Sequence, residues 1–165
     1  MQTSALSDRQ AVLEGMPDHP AIKAILAWNA KALTDAQFAY GELTLSIAPE
    51  EIREASSTVQ TAGYNFFEDM TAIDWFPSSP RFQLSYHILS HKLLDRIRLR
   101  VMLDEDDPSV DSITPVWPGA NFYEREVFDL FGIRFAGHPD LRRIMMPDDW
   151  KGHPLRKDYP VEGYR

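Results

Sequence analysis

The sequence predicts an α+β fold: one mixed, partly antiparallel sheet with helices packed on it, followed by an extended irregular C-terminal tail. Three features lead there. Helical and alternating patterns run as helix, strand, helix, several strands and a last helix, not as repeated strand–helix units. Phe82–His91 and Arg96–Leu103 both read as strands, and the short connection between them makes an antiparallel hairpin. Residues 133–165 hold Pro139, Pro147, Pro154 and Pro160, so that stretch cannot enclose a core of its own.

Each element has its own warrant. Pro20 suits a first helical position, and Ile22, Ile25, Leu26 and Leu33 recur at helical spacing, predicting a helix over 20–33. From Gly41 to Ile47, Leu43, Leu45 and Ile47 alternate with Glu42, Thr44 and Ser46, the pattern of a half-buried strand. Pro49 opens a second helix with Glu50 and Glu51 in its first turn, and Gly63 is its expected stop. Tyr64–Trp75 is apolar and extended. In the second hairpin strand Ile97, Leu99, Val101 and Leu103 form one face, while Arg96, Arg98 and Arg100 form the other. Residues 104–112 (DEDDPSVDS) read as an acidic loop. Trp117-Pro118 sets up a helix over 119–131, closed by Gly132. The division expected is an N-terminal helical segment (1–34), a core domain (35–132) and a C-terminal docking tail (133–165).

Composition narrows the function. The chain has 165 residues and no cysteine, which removes disulfides, thiolate nucleophiles and iron–sulfur ligation. Any redox role must use electron carriers held by other chains. The net charge is −8, unevenly placed: residues 1–133 carry 10 Lys and Arg against 20 Asp and Glu, residues 134–165 seven against five. An acidic body argues against nucleic acid as a partner. The mildly basic tail suits a specific acidic protein surface, or the body's own carboxylates. No apolar run approaches the roughly 18 residues that cross a bilayer. The polar start, Met1–Gln10, lacks the order of a signal peptide, so a soluble, non-secreted chain is expected.

The helix over 119–131 carries Glu124-Arg125-Glu126, which invites a hydrolase reading with paired carboxylates. Residues two apart on a helix diverge by roughly 160–200°, so these glutamates cannot converge on one bond. Glu124 falls on the apolar side and is expected to be buried, bonded to an arginine or to backbone donors. Arg125, Glu126 and Asp129 fall opposite and are expected to be more exposed, with an ion pair between Arg125 and Asp129. His87 and His91, or His138 and His153 beside Asp140 and Asp158, form only loose metal candidates, because no familiar ligand spacing is reproduced. Capping and loop bracing is the preferred role, and no catalytic, cofactor or metal residue is assigned. Arginines and aromatics in the tail, Arg142, Arg143, Trp150, Arg156 and Tyr159 among them, are the residue types that anchor protein interfaces.

Trp117–Pro160 contains ERE-x-x-D-x-x-G at Glu124–Gly132, GHPDLRRI at Gly137–Ile144 and GHPLRKDYP at Gly152–Pro160. This run closely resembles a subunit of the proton-pumping NADH–quinone oxidoreductase of bacteria, the relative of the 30 kDa subunit of respiratory complex I. A weaker resemblance reaches back to about residue 35, through GELTLSI, TAIDW and SYHILSH. The resemblance implies a peripheral-arm subunit with no flavin, iron–sulfur cluster or nicotinamide of its own, FMN and the clusters lying in partner subunits. It implies packing against the quinone-site subunit, with the tail over that neighbour, at the cytoplasmic face of the membrane and attached only through the complex. Glu124, Arg125, Glu126, Asp129, Gly132, His138, Arg142, Arg143, Trp150, His153, Arg156, Lys157 and Asp158 are then structural or partner-interface residues. The chain does not resemble the form in which this subunit and the quinone-site subunit are fused in one polypeptide. The equivalent subunit of a membrane-bound hydrogenase or a photosynthetic-type complex is the alternative, since these share the motif. A free-standing binding module is a third reading.

Overall fold

The computed structural model describes residues 8–163; Met1–Ser7 of the N-terminal segment and Tyr164 and Arg165 of the tail lie outside the described residues. Two short helices, α1 (Arg9–Gly15) and α2 (Pro20–Asn29), come first, and the Asp8 carboxylate caps α1 by accepting the Gln10 amide at 3.0 Å. Strands β1 (Leu33–Ala39) and β2 (Glu42–Ile47) form a hairpin. A 3₁₀ turn at Pro49–Glu51 runs into α3 (Ile52–Thr61). Strands β3 (Phe66–Asp74), β4 (Phe82–Ser90) and β5 (Asp95–Leu103) make an antiparallel meander. Then come β6 (Ser109–Asp111), α4 (Ala120–Phe131) and β7 (Arg134–Ala136).

The main sheet has five strands in the order β1-β2-β5-β4-β3 and is mixed because β2 and β5 run parallel at its centre. That pairing explains the pattern of β5. Ile97, Leu99 and Val101 are fully buried with the helices' Ile22, Ile25, Ile52 and Val59. The opposite face keeps its arginines half-solvated and paired: Arg100 Nη2 lies 3.0 Å from Asp35, and Arg98 reaches Glu42 and donates from Nε to His87 Nε2 at 2.8 Å.

Three local expectations change. The helix expected over 20–33 ends at Asn29, whose side-chain Oδ1 accepts the Lys31 amide at 3.1 Å and turns the chain into β1. β1 (LTDAQFA) has weak strand propensity and forms because β2 needs an outer partner. The acidic stretch 104–112 contains β6, which pairs in parallel with β7, itself inside the expected tail. Strands of three residues carry no readable period.

From Gly137 to Gly163 there is neither helix nor strand. What precedes this stretch is a helix stop. Gly132 sits at φ 74° and donates to Phe128 O at 2.9 Å, a left-handed C-terminal cap. A Cβ there would lie 2.6 Å from the His153 ring and 2.8 Å from Arg156 Nη2. Gly132→Ala therefore combines backbone strain with a collision against two tail side chains, and is expected to cost about 2–4 kcal/mol in chemical denaturation. A loss within error of zero would show that neither constraint operates.

Candidate interaction site

The end of α4 and the tail form one hydrogen-bonded unit. The last carbonyls of a helix lack partners within it. Here the Gly132 amide takes Phe128 O at 2.9 Å, His153 Nδ1 takes Asp129 O at 2.9 Å, the Leu155 amide takes Leu130 O at 3.0 Å and Arg156 Nε takes Phe131 O at 2.6 Å. The GHPLR segment is thus a cap supplied from more than 20 residues downstream, as the His153–Asp129 separation of 24 shows. The Arg156 guanidinium also sits at the negative end of the helix dipole.

Asp129 anchors the other half of the tail. Its Oδ2 accepts the consecutive amides of Ile144 (3.0 Å), Met145 (2.7 Å) and Met146 (2.8 Å), and its Oδ1 meets Arg143 Nη1 at 2.7 Å. Successive amides aimed at one point form an anion-binding nest. Burial alone would raise the Asp129 carboxyl, but these amides and Arg143 outweigh it and hold it below the usual range. The expected surface position of Asp129 and its ion pair with Arg125 give way to this arrangement: Asp129 is fully buried. Arg125 is also buried, donating from Nε to Arg142 O at 3.2 Å and from Nη2 to Arg143 O at 3.3 Å. A helical wheel counts the faces of an isolated helix; the tail supplies α4 with a second covered face.

A second anchor lies at the end of β3. Arg81, 1% exposed, holds Asp74 bidentately, Nε–Oδ1 at 2.9 Å and Nη2–Oδ2 at 2.8 Å. The same guanidinium takes Asp158 at 2.6 and 3.1 Å and Glu105 at 2.5 Å, and Asp74 Oδ2 also accepts the Lys157 amide at 2.8 Å. Burial pushes the Asp74 carboxyl up, but Arg81 and the Lys157 and Phe76 amides pull it further down, to about 2. Arg156 and Arg81 both lie over the Phe82 ring, at 5.1 and 4.9 Å. Asp74 and Arg81 were absent from the sequence-based candidates. The one available signal was Asp74 within TAIDW, and nothing local marks Arg81.

The remaining candidates divide by direction. Glu124 is fully buried as expected, taking the Ser112 hydroxyl at 2.6 Å and the Ile113 amide at 2.7 Å rather than an arginine. His138 braces the start of the tail, Nε2 to Asn121 O at 3.2 Å. Glu126, Arg142, Trp150 and Lys157 point outward, with Arg142 held by Asp140 at 2.8 Å. Met145 (62% exposed) and Leu155 (52%) also present apolar surface. His87 bridges Arg98 and Asp69, and His91 packs edge-on against Phe66. Among the described residues no cluster of His, Asp or Glu could hold a metal, and no helix is long and apolar enough to cross a membrane. Glu124 and Glu126 do not share a cleft, one being enclosed and the other solvated.

Comparison with known proteins gives concordant results. The family model described as "Respiratory-chain NADH dehydrogenase, 30 Kd subunit" matches residues 45–165. An NADH-quinone oxidoreductase subunit of Citrifermentans bemidjiense is 47% identical over 135 residues, covering 81% of this chain and 84% of its own length. The corresponding subunit of Roseiflexus castenholzii is 44% identical, covering 87% and 85%. Among solved structures, a trypsin-resistant fragment of Nqo5 superposes with a TM-score of 0.65 at 32% identity, over 74% of this chain and all of the fragment. A chain of the membrane-bound sulfane sulfur reductase, an archaeal respiratory membrane complex, shares the fold with a TM-score of 0.72 at 24% identity, over 85% of this chain and 84% of its own.

Proposed function

The chain belongs to the 30 kDa subunit family of respiratory-chain NADH dehydrogenases, and from that premise we propose that it is a cofactor-free peripheral-arm subunit of an NADH–quinone oxidoreductase. It docks on the quinone-site subunit at the cytoplasmic face of the membrane and is held there only through the complex. The complex passes electrons from NADH through FMN and iron–sulfur centres of partner subunits to quinone, coupled to proton translocation. This chain performs none of the electron-transfer steps; it gives the quinone-site subunit a rigid surface. Residues 35–132 act as the body and 133–165 as the docking element, preceded by the helical segment of α1 and α2.

The anchoring of the tail supports this reading most. A docking segment that is already ordered loses less entropy on binding. Arg125, Asp129, Gly132, His138, Arg143, His153, Arg156 and Asp158 brace the tail from within, and Glu124 ties α4 to the chain after β6. Glu126, Arg142, Trp150 and Lys157, with Met145 and Leu155, are left to meet the partner. The likeness to a chain of an archaeal respiratory membrane complex favours one second reading, the same supporting role in a related complex with another electron donor.

The test is purification of the tagged chain from native membranes in mild detergent. The flavin, iron–sulfur and quinone-site subunits are expected with it, together with NADH–quinone activity. Recovery of the chain alone overturns the assignment, and recovery with nickel–iron or other donor subunits selects the second reading. Arg142→Glu combined with Leu155→Asp touches neither anchor and should leave the fold intact while the quinone-site subunit is lost. Undiminished recovery with that variant removes the tail from the interface.

A further inference from the structure

Among the fully buried ionisable groups of α4, Glu124 is set apart because its hydrogen bonds come from outside the tail. Its carboxylate is enclosed and receives two hydrogen bonds, both from neutral donors, the Ser112 hydroxyl and the Ile113 amide. The groups around it add little positive charge. From the tail, His138 Nε2 lies 3.9 Å away. Its Nδ1 accepts the Asp140 amide at 3.0 Å, which leaves Nε2 as the ring's donor, aimed at Asn121 O rather than at the carboxylate. From α3, Arg53 acts only through its field, being bonded to Ser112 O and Ala136 O at 3.0 Å each and paired with Asp111 of β6 at 3.4 Å. From β4, the fully buried Tyr86 hydroxyl has no hydrogen-bond partner among the described residues and feels the Glu124 charge as repulsive to its own ionisation. A charge so weakly supported is easily exchanged for a proton.

The second observation is a path. Ser112 Oγ lies 2.6 Å from Glu124 Oε2 and 2.8 Å from Thr114 Oγ1, and either hydroxyl of that pair can donate. Thr114 is half-exposed and lines a surface hollow of about 330 Å³ with Pro115, Pro118, Asn121, Gly137 and Pro139. We propose that Glu124 is a proton-binding site, connected to solvent in that hollow by the hydroxyls of Ser112 and Thr114. Loading starts when Thr114 Oγ1 accepts a proton from a hydronium ion and passes its own to Ser112 Oγ. Ser112 passes its own proton to Glu124 Oε2. One external proton is consumed, no bond to carbon changes, and both hydroxyls finish neutral and reversed in direction. The Ile113 amide stays on Oε1 throughout. The negative charge at the junction of α4, β6 and the GHPD turn then appears or vanishes with pH.

Burial pushes the Glu124 carboxyl up to about 7, against the opposing pull of Ser112, Ile113 and Arg53. A raised carboxyl favours the protonated native state. Its stabilising contribution is therefore complete below the unfolded value of 4.5 and is lost as pH rises through about 7.

The test is a pH titration of the full chain carrying ¹³C in its glutamate carboxyls. One resonance, missing in Glu124→Gln, should move with a midpoint near 7. Ser112→Ala removes a donor to the ionised form and should shift that midpoint upward by about one unit, which identifies the resonance even where Glu124→Gln fails to fold. A Glu124 midpoint in the range of exposed glutamates overturns the site, as does a downward shift in Ser112→Ala. Thr114→Val should preserve the midpoint and slow proton exchange by about tenfold or more, seen as line broadening. Exchange at the wild-type rate overturns the hydroxyl path.

Discussion

Asp129→Ala should release the tail from α4 and lower stability by about 3–5 kcal/mol, the range for removing one partner of a buried charged contact. The substitution strands three converging amides and the Arg143 guanidinium at once. Left dry, those groups would cost about 1–3 kcal/mol each, more in sum than the fold can absorb. The cheaper outcome is for the tail to leave and hydrate them. The body keeps its own core, so its unfolding should remain cooperative while the tail opens. Limited trypsin digestion with mass spectrometry reads this directly: cleavage after Arg142, Arg143 and Lys151 should accelerate, with chain N-terminal to α4 still protected. Asp129→Asn keeps an acceptor oxygen but loses the charge, and should fall between wild type and Ala. Unaltered cleavage in both variants would show that the nest does not hold the tail.

Arg81→Met is the larger perturbation of the body itself. It leaves Asp74, 3% exposed, with amide donors but no directly bonded cation, and frees Asp158 of the tail from its contact with the body. Removing one member of a buried pair costs about 3–5 kcal/mol, chiefly as an uncompensated charge. Adding Asp74→Asn should therefore recover much of the loss, and a double-mutant cycle of stabilities by urea denaturation measures it. Strict additivity would refute direct coupling. The pH profile supplies a second check. In the wild type Asp74 has its carboxyl lowered from 3.8 to about 2, so its contribution is present above pH 3.8 and lost as pH falls through about 2. That contribution is roughly 2 kcal/mol. In Arg81→Met the carboxyl should instead be raised, and acidification from neutral pH should then stabilise rather than weaken.

The two anchors show how far the chain could be read without coordinates. Central strands and the last helix were visible because burial imposes a period: Leu43/Leu45 and Ile97/Leu99/Val101 each occupy one face of a strand, and Gly132 marks a helix end by a requirement local to itself. Glu124 was placed inside by the same reasoning. Strand β1 escaped because its residues prefer other structures, and β6 and β7 because three residues show no period. Arg125 and Asp129 were assigned to water because their burial depends on residues 142–146, which no property of α4 announces.

What the sequence determined by itself was the layered α+β body, the position of α4 and its stop, the lack of thiol ligands and the motifs by which the family is recognised. What the tertiary structure decided was where the charges of those motifs go. Asp74 meets the Lys157 amide across 83 positions, Arg81 meets Asp158 across 77, and Asp129 meets the amides of residues 15 to 17 places onward. Periodicity records whether a position faces water or core, an average over many weak apolar contacts. An ion pair or an amide nest depends on a few atoms meeting within about 3 Å, and only the folded chain brings them together.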